Sequence, residues 1–227
     1  MARLARTVIP GVPHHVTQRG NNRQDVFFVD DDRRFYLELL KEQCDKHGLQ
    51  IAAYCLMTNH LHLLATPEKP DSLALALGRT HLRYTQYVNH LHDRSGHLWQ
   101  NRFYSCPLGP GHRAKALVYV ERNPVRARIV RHACNYEWSS AAAHAGGDDL
   151  SGLLDLASWR RGHSPDDWRA RLSLPDGEAF LSEIRAKTHR GRPLGSDSFI
   201  SKLETLLGRR LRALSRGRPR TKASGKA

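Results

Sequence analysis

Two apolar runs with a two-residue turn between them constrain this chain more than any other feature. Ile51 to Met57 and Leu61 to Ala65 each read as a β-strand, and the short turn Thr58-Asn59 joins them. His60 and His62 stand at the head of the second run, on either side of Leu61. Side chains alternate faces along a strand, so the two imidazoles project together while Leu61 points away. Two imidazoles on one rigid face can hold a divalent cation and leave positions open for a substrate oxygen. The plain alternative is two polar rings on a solvent-facing or helix-covered strand face.

The rest of the pattern extends this block into an α+β fold. His14 to Arg19 alternates and ends at Gly20-Asn21-Asn22, a strand entering a turn. Asp30-Asp31-Asp32 opens an amphipathic helix that carries Phe35, Leu39, Leu40 and Cys44 at helical spacing up to Gly48. Pro67 and Pro70 stop the second strand of the pair, and Asp71-Ser72 start another helix reaching about Asn89. Arg102 to Leu108 reads as a short strand, and a third helix runs from about His112 to Arg122, closed by Asn123-Pro124. Strand, helix, strand, strand, helix, strand, helix is the ferredoxin-like (RRM-like) split order, an antiparallel sheet with helices on one face.

Charge sets the class of partner. The 227 residues hold 36 Lys and Arg against 22 Asp and Glu, a formal net charge of +14 and a pI near 10.2. Such a balance points to a polyanion, with nucleic acid the leading candidate. From Arg185 to Ala227 there are 13 basic residues and two acidic ones, so this stretch carries +11 of the total and the body about +3. Met1 to Arg6 has no apolar segment and no stretch has membrane-spanning length, so a cytoplasmic, nucleoid-associated protein is expected. Cys44, Cys55, Cys106 and Cys134 form no C-x-x-C pair and read as small buried side chains.

Tyr119 and Asn123 lie four apart, hence on one face of the third helix. Asn123 could offer its carbonyl oxygen to a metal while the phenol reaches toward the same place. Oxygen ligands suit Mg²⁺ or Mn²⁺, and imidazole tolerates Mn²⁺ well. Most helical tyrosines simply pack, which is the competing reading.

Five strings then converge: Asn21-Asn22-Arg23, Leu56-Met-Thr-Asn-His-Leu-His-Leu-Leu64, Ser95-Gly-His-Leu-Trp-Gln-Asn-Arg-Phe103, Tyr119-Val-Glu-Arg-Asn-Pro-Val125 and Trp138-Ser-Ser140. Together they resemble the HUH single-tyrosine (IS200-like) transposases, and more narrowly the REP-associated tyrosine transposases, over about residues 10–145. Thr58 departs from the proline common there and bears on nothing catalytic. The resemblance implies an HUH palm acting on single-stranded DNA, with His60 and His62 as metal ligands and Tyr119 as nucleophile. Asn123 takes the place of a third polar ligand. It further implies a 5′-phosphotyrosine intermediate on REP-like, hairpin-flanked DNA, with a divalent metal, Mg²⁺ or Mn²⁺, as cofactor. A chain that kept the palm but lost turnover, a non-catalytic nucleic-acid-binding protein, is the alternative. Relatives include both monomers and homodimers, and no motif decides between them.

Arg19, Asn21, Asn22 and Arg23 form a loop suited to phosphate and base-edge contacts, and Arg102 is a similar candidate. His14 and His15 neighbour the histidine pair, with a structural role favoured for both. Tyr84 reads as packing, whereas Tyr87 could pack or stack on unpaired bases. Three domains are expected: the HUH domain over 1–145, a short helical extension over 146–187 and a basic DNA-binding tail over 188–227. The Ala/Gly stretch ending at Gly147 marks the first edge, and helices are expected around 150–159, 165–172 and 177–187. In the tail, Arg190-Gly-Arg192-Pro193 and Arg216-Gly-Arg218-Pro219 flank an amphipathic helix with apolar positions from Phe199 to Leu211. Arg-Gly-Arg-Pro resembles an AT-hook core, which enters a narrow A·T-rich minor groove, and a tail binding by charge alone is equally consistent.

Overall fold

The computed structural model describes residues 6–213. Arg216 and Arg218 therefore lie outside the described residues. Strands β1 (His14–Arg19), β2 (Leu49–Met57), β3 (His60–Pro67) and β4 (Tyr104–Pro107) form an antiparallel sheet in the order β2-β3-β1-β4. Helix α1 (Asp30–His47) connects β1 to β2, and α2 (Ser72–Leu91) connects β3 to β4, which is the expected split arrangement. Register places Thr17 opposite His62 and Arg19 opposite His60.

Local signals explain the boundaries. Asp32 folds back over the start of α1, where its carboxylate accepts from the amides of Phe28 (2.7 Å) and Val29 (3.0 Å). Gly48 ends α1 at φ 63°, a left-handed position that a side chain would strain. Helix α3 (Pro110–Glu121) begins ahead of the expected His112 because Pro110 suits a first turn, where its missing N–H costs nothing. The short helix α4 (Asn123–Arg126) follows directly.

Helices α1 and α2 pack on one face of the sheet over Leu61 and Leu63, both fully buried. Tyr84 belongs to this core, donating its hydroxyl to the Val26 carbonyl at 2.6 Å. Tyr87 packs as well, its ring 4.4 Å from Phe35 and its hydroxyl donating to Asp32. The other face, where His60 and His62 project, receives α3 against β2 and β3.

The Ala/Gly stretch after Trp138 begins as packed structure and reaches the surface at Gly146 and Gly147. It forms α5 (Ala141–His144), with Ala141, Ala143 and His144 buried. Then come α6 (Leu156–Gly162), α7 (Pro165–Ser173) and α8 (Glu178–Arg190), close to the three expected helices. Glu121, at the end of α3, ties α5 and α7 to the palm. Its fully buried carboxylate accepts from Ser140 Oγ (2.5 Å), His144 Nδ1 (2.5 Å) and Trp168 Nε1 (2.8 Å).

Helix α8 lies along β4 and touches β1, so it too covers the histidine face. Beyond it, Leu194 exchanges backbone hydrogen bonds with Pro107 and Gly109, and α9 (Asp197–Leu207) follows. The amphipathic helix stops short of Leu211 because Gly208 turns left-handed (φ 60°). Leu211 nevertheless returns to a small second core with Ile9, Ile200 and Leu203. Residues 188–213 are thus folded onto the body.

Two buried histidines outside the candidate site make stability depend on pH. His14 Nδ1 contacts the Val12 carbonyl (2.7 Å), while its Nε2 accepts from the Ile9 amide (3.3 Å), an arrangement that needs a neutral ring. Burial pushes His14 down to about 4 and His81 down to about 3. Both rings titrate lower folded than unfolded, so the unfolded chain binds more protons below pH ~6.5. Their stabilisation is complete above that pH and lost on acidification toward 4. Between pH 6.5 and 4.5 each should cost about 2 kcal/mol. Chemical denaturation at pH 7.0, 5.5 and 4.5 should show the midpoint falling, and a flat profile would contradict the assignment.

Candidate active site

A cavity of about 380 Å³ opens on the sheet face between α3 and α8. His60, His62, Tyr119, Asn123 and Arg19, all singled out in the sequence, line it together. Alternation along β3 turns both imidazoles to this side, and their rings meet edge to face with centroids 5.1 Å apart. Tyr119 comes from the last turn of α3, where its ring stands edge-on to His62 (5.6 Å) and His15 (5.2 Å). The Arg126 guanidinium covers that ring at 4.3 Å and donates to the Tyr119 carbonyl. Arg126 is itself anchored by Asp176 (3.2 Å), which also holds Arg122 (3.2 Å).

Each imidazole is oriented through Nδ1. His60 Nδ1 contacts Asn59 Oδ1 at 2.7 Å, and His62 Nδ1 contacts His15 Nε2 at 2.9 Å. That leaves Nε2 of each ring for the cavity. Burial, with Arg19 adding to it, pushes His60 down to about 4. Burial pushes His62 well below its usual range, with His15, His60, Arg126 and Arg19 contributing in the same direction. Both rings are therefore neutral at physiological pH and keep a lone pair. The Asn123 Nδ2 donates to the carbonyls of Tyr119 (3.0 Å) and Val120 (3.1 Å), which leaves Oδ1 as the free end of the amide.

Two neutral imidazole nitrogens, each fixed through its other nitrogen, and one amide oxygen are a mixed donor set able to hold a divalent cation, with the amide oxygen suited to Mn²⁺ or Mg²⁺. Among the described residues no group of three or more His, Cys, Asp or Glu converges as a metal cage. A cation here would rest on two histidines and the asparagine, with the remaining positions open to substrate oxygens.

The other expected DNA-binding residues are spread around this cavity. Arg102 lines a neighbouring groove of about 600 Å³ that shares Gln18 and Gln100 with the cavity. Arg6 joins it there, 3.7 Å over the Phe103 ring and pushed down to about 10 by burial and by Arg102. Asn21, Asn22 and Arg23 form a 3-10 turn beside the β2–β3 turn, with Asn22 (φ 49°) and Arg23 (φ 61°) left-handed and exposed. Gly20 precedes them because a Cβ there would meet the Gln24 carbonyl at 2.2 Å. Arg190 is exposed on the last turn of α8. Arg192 is half-buried, with its Nη1 enclosed and without a hydrogen-bond partner. His14 is structural, as expected, whereas His15 belongs to the site. Arg185, Thr188 and His189 of α8 also line the cavity, and nothing in the sequence around them announces it.

The family model described as "Transposase IS200 like" matches residues 10–123, half of the chain. The chain belongs to the IS200-like transposase family. A Haemophilus influenzae protein assigned as a REP-associated tyrosine transposase is 25% identical over 124 residues, 50% of this chain and 68% of that protein. Among solved structures, a REP-associated tyrosine transposase bound to a REP hairpin superposes with a TM-score of 0.56 at 17% identity. That match covers 69% of this chain and 90% of the other, so the fold is shared well past the family core. Membership makes this chain a DNA-binding transposase, an enzyme class that cuts and rejoins DNA. No helix among the described residues is long and apolar enough to cross a membrane.

Proposed function

We propose that this transposase cleaves and rejoins single-stranded DNA through Tyr119, on REP-like sequences flanked by hairpins. One observation carries the reading: Tyr119 of α3 shares a single cavity with His60 and His62 of β3, Asn123 and Arg19. The likeness to REP-associated relatives supports the substrate class. His60, His62 and Asn123 would hold the cation. When bound there, Mg²⁺ or Mn²⁺ polarises the non-bridging oxygens of the scissile phosphate.

The chain's own residues do the rest. Arg19 at the rim and Arg185 on the facing helix supply positive charge where the phosphate must sit. Arg102 and Arg6 extend that charge along the adjoining groove, in line for neighbouring phosphates. The Tyr119 phenol oxygen attacks phosphorus, the bond to the 3′-oxygen breaks, and the phenol proton is finally carried by the released 3′-hydroxyl. The product is a 5′-phosphotyrosine. Attack by a 3′-hydroxyl reverses it, so rejoining needs no nucleotide cofactor.

The test is incubation of the full chain with single-stranded oligonucleotides from its own genomic flanks, with Mn²⁺ or with chelator. A denaturant-resistant adduct that requires the cation and a hairpin is expected. DNA binding without any adduct would favour the non-catalytic alternative.

Residues 214–227 hold five basic residues and no acidic one, Arg216 and Arg218 among them. Truncation after Ala213 should weaken DNA binding and lower the slope of log affinity against log salt by up to about 3.5. A cut at residue 188 would be the wrong experiment, because it removes packed structure. An unchanged slope would exclude the tail as a DNA contact.

A further inference from the structure

Resting on the reading of His62 as a cation ligand, we propose that Thr188 of α8 is a positioning residue. Acting through His15, it fixes the His62 tautomer that presents Nε2 to the cation. Thr188 lies well beyond residues 10–123, so part of the apparatus would come from outside the family's matched region.

Geometry and proton counting carry this. Thr188 Oγ1 lies 2.8 Å from His15 Nδ1, and His15 Nε2 lies 2.9 Å from His62 Nδ1. All three residues are buried, and the two rings are nearly coplanar, 12° apart. Only one proton fits between His15 Nε2 and His62 Nδ1. If His62 holds it, His62 Nε2 keeps the lone pair a ligand needs. If His15 holds it, a neutral His62 must carry its own proton on Nε2 and cannot bind a metal.

The choice therefore passes to His15. For His15 Nε2 to accept, its proton must sit on Nδ1, and Thr188 Oγ1 is the acceptor placed there. A hydroxyl could also donate and reverse the chain. The cation reading itself selects between the two, because only acceptance by Thr188 leaves the His62 Nε2 lone pair for the ion. In the proposed state donation runs from His62 to His15 and from His15 to Thr188.

The test compares wild type, Thr188→Val, Thr188→Ser and His62→Ala as full chains. Long-range ¹⁵N NMR on histidine-labelled protein, without added metal, reports which nitrogen of each ring is protonated. Mn²⁺ titration followed by electron paramagnetic resonance reports affinity. Wild type and Thr188→Ser should show His62 protonated on Nδ1. Thr188→Val should move that proton toward Nε2 and weaken Mn²⁺ binding by about 10- to 100-fold. Wild-type protein with His62 protonated on Nε2 would overturn the proposal without recourse to any variant. So would Thr188→Val with unchanged tautomer and affinity, or Thr188→Ser that fails to restore them. If His62→Ala binds Mn²⁺ as wild type does, the cation reading falls instead, and the metal-free spectra still decide the relay.

Discussion

Tyr119→Phe should abolish the covalent adduct with single-stranded DNA while leaving binding close to wild type. Phenylalanine keeps the ring that meets His15 at 5.2 Å and His62 at 5.6 Å under the Arg126 guanidinium, so the cavity should retain its shape. Only the attacking oxygen is lost, and removing a nucleophile typically lowers turnover by at least about 10³-fold. Polarity provides a second check. A 5′-phosphotyrosine links protein to the fragment on the 3′ side of the cut. A 3′-labelled strand should therefore shift with the protein, and a 5′-labelled strand should leave as a shorter piece. An adduct persisting in Tyr119→Phe would exclude this residue, and a shift of the 5′ label would exclude the polarity.

The largest effect on stability is expected at Glu121. Its carboxylate serves three buried donors, Ser140 Oγ, His144 Nδ1 and Trp168 Nε1, and is itself fully enclosed. Glu121→Ala leaves His144 Nδ1 and Trp168 Nε1 without an acceptor, leaves Ser140 Oγ only the longer bond to the Tyr54 carbonyl (3.4 Å), and opens a void among them. Breaking such a buried network costs about 3–5 kcal/mol, a large part of the 5–15 kcal/mol that holds a typical domain together. Thermal denaturation followed by circular dichroism should show a melting temperature lower by roughly 10 °C or more. A loss under about 2 °C would mean that the donors find other partners. Glu121 ends the helix that carries Tyr119, so the variant should also lower adduct formation near its own melting point.

The sheet and the first three helices were legible in the sequence because their signals are local. Alternation through His14–Arg19 and the turn at Thr58-Asn59 set β1, β2 and β3, and proline and glycine marked where helices begin and end. Period-2 alternation alone was enough to put His60 and His62 on one face. Helical spacing put Tyr119 and Asn123 together in the same way. Their meeting across nearly sixty residues was not local, and only the family resemblance anticipated it.

The contribution of α8 had no such help. Thr188 stands 173 residues from His15, and its neighbours Arg185 and His189 look like an ordinary solvated helix face. Glu121 was hidden for a related reason. A carboxylate between Val120 and Arg122 carries no mark of burial, and its donors come from two later segments. The Ala/Gly stretch up to Gly147 shows the same limit, because small residues that suit a domain edge also suit the tight packing of α5.

The sheet's outer margins have a consequence for how short this chain could become. On β2, Cys55 bridges to Ser139, Leu56 donates to the Trp138 carbonyl and Ser140 donates to Tyr54. Past β4, Leu108 bridges to Leu194. Both unpaired margins are thus sealed by segments that follow the stretch matched to the family. A fragment ending near Asn123 would present two bare rows of amides and carbonyls, templates for other strands, and should self-associate rather than stay dispersed.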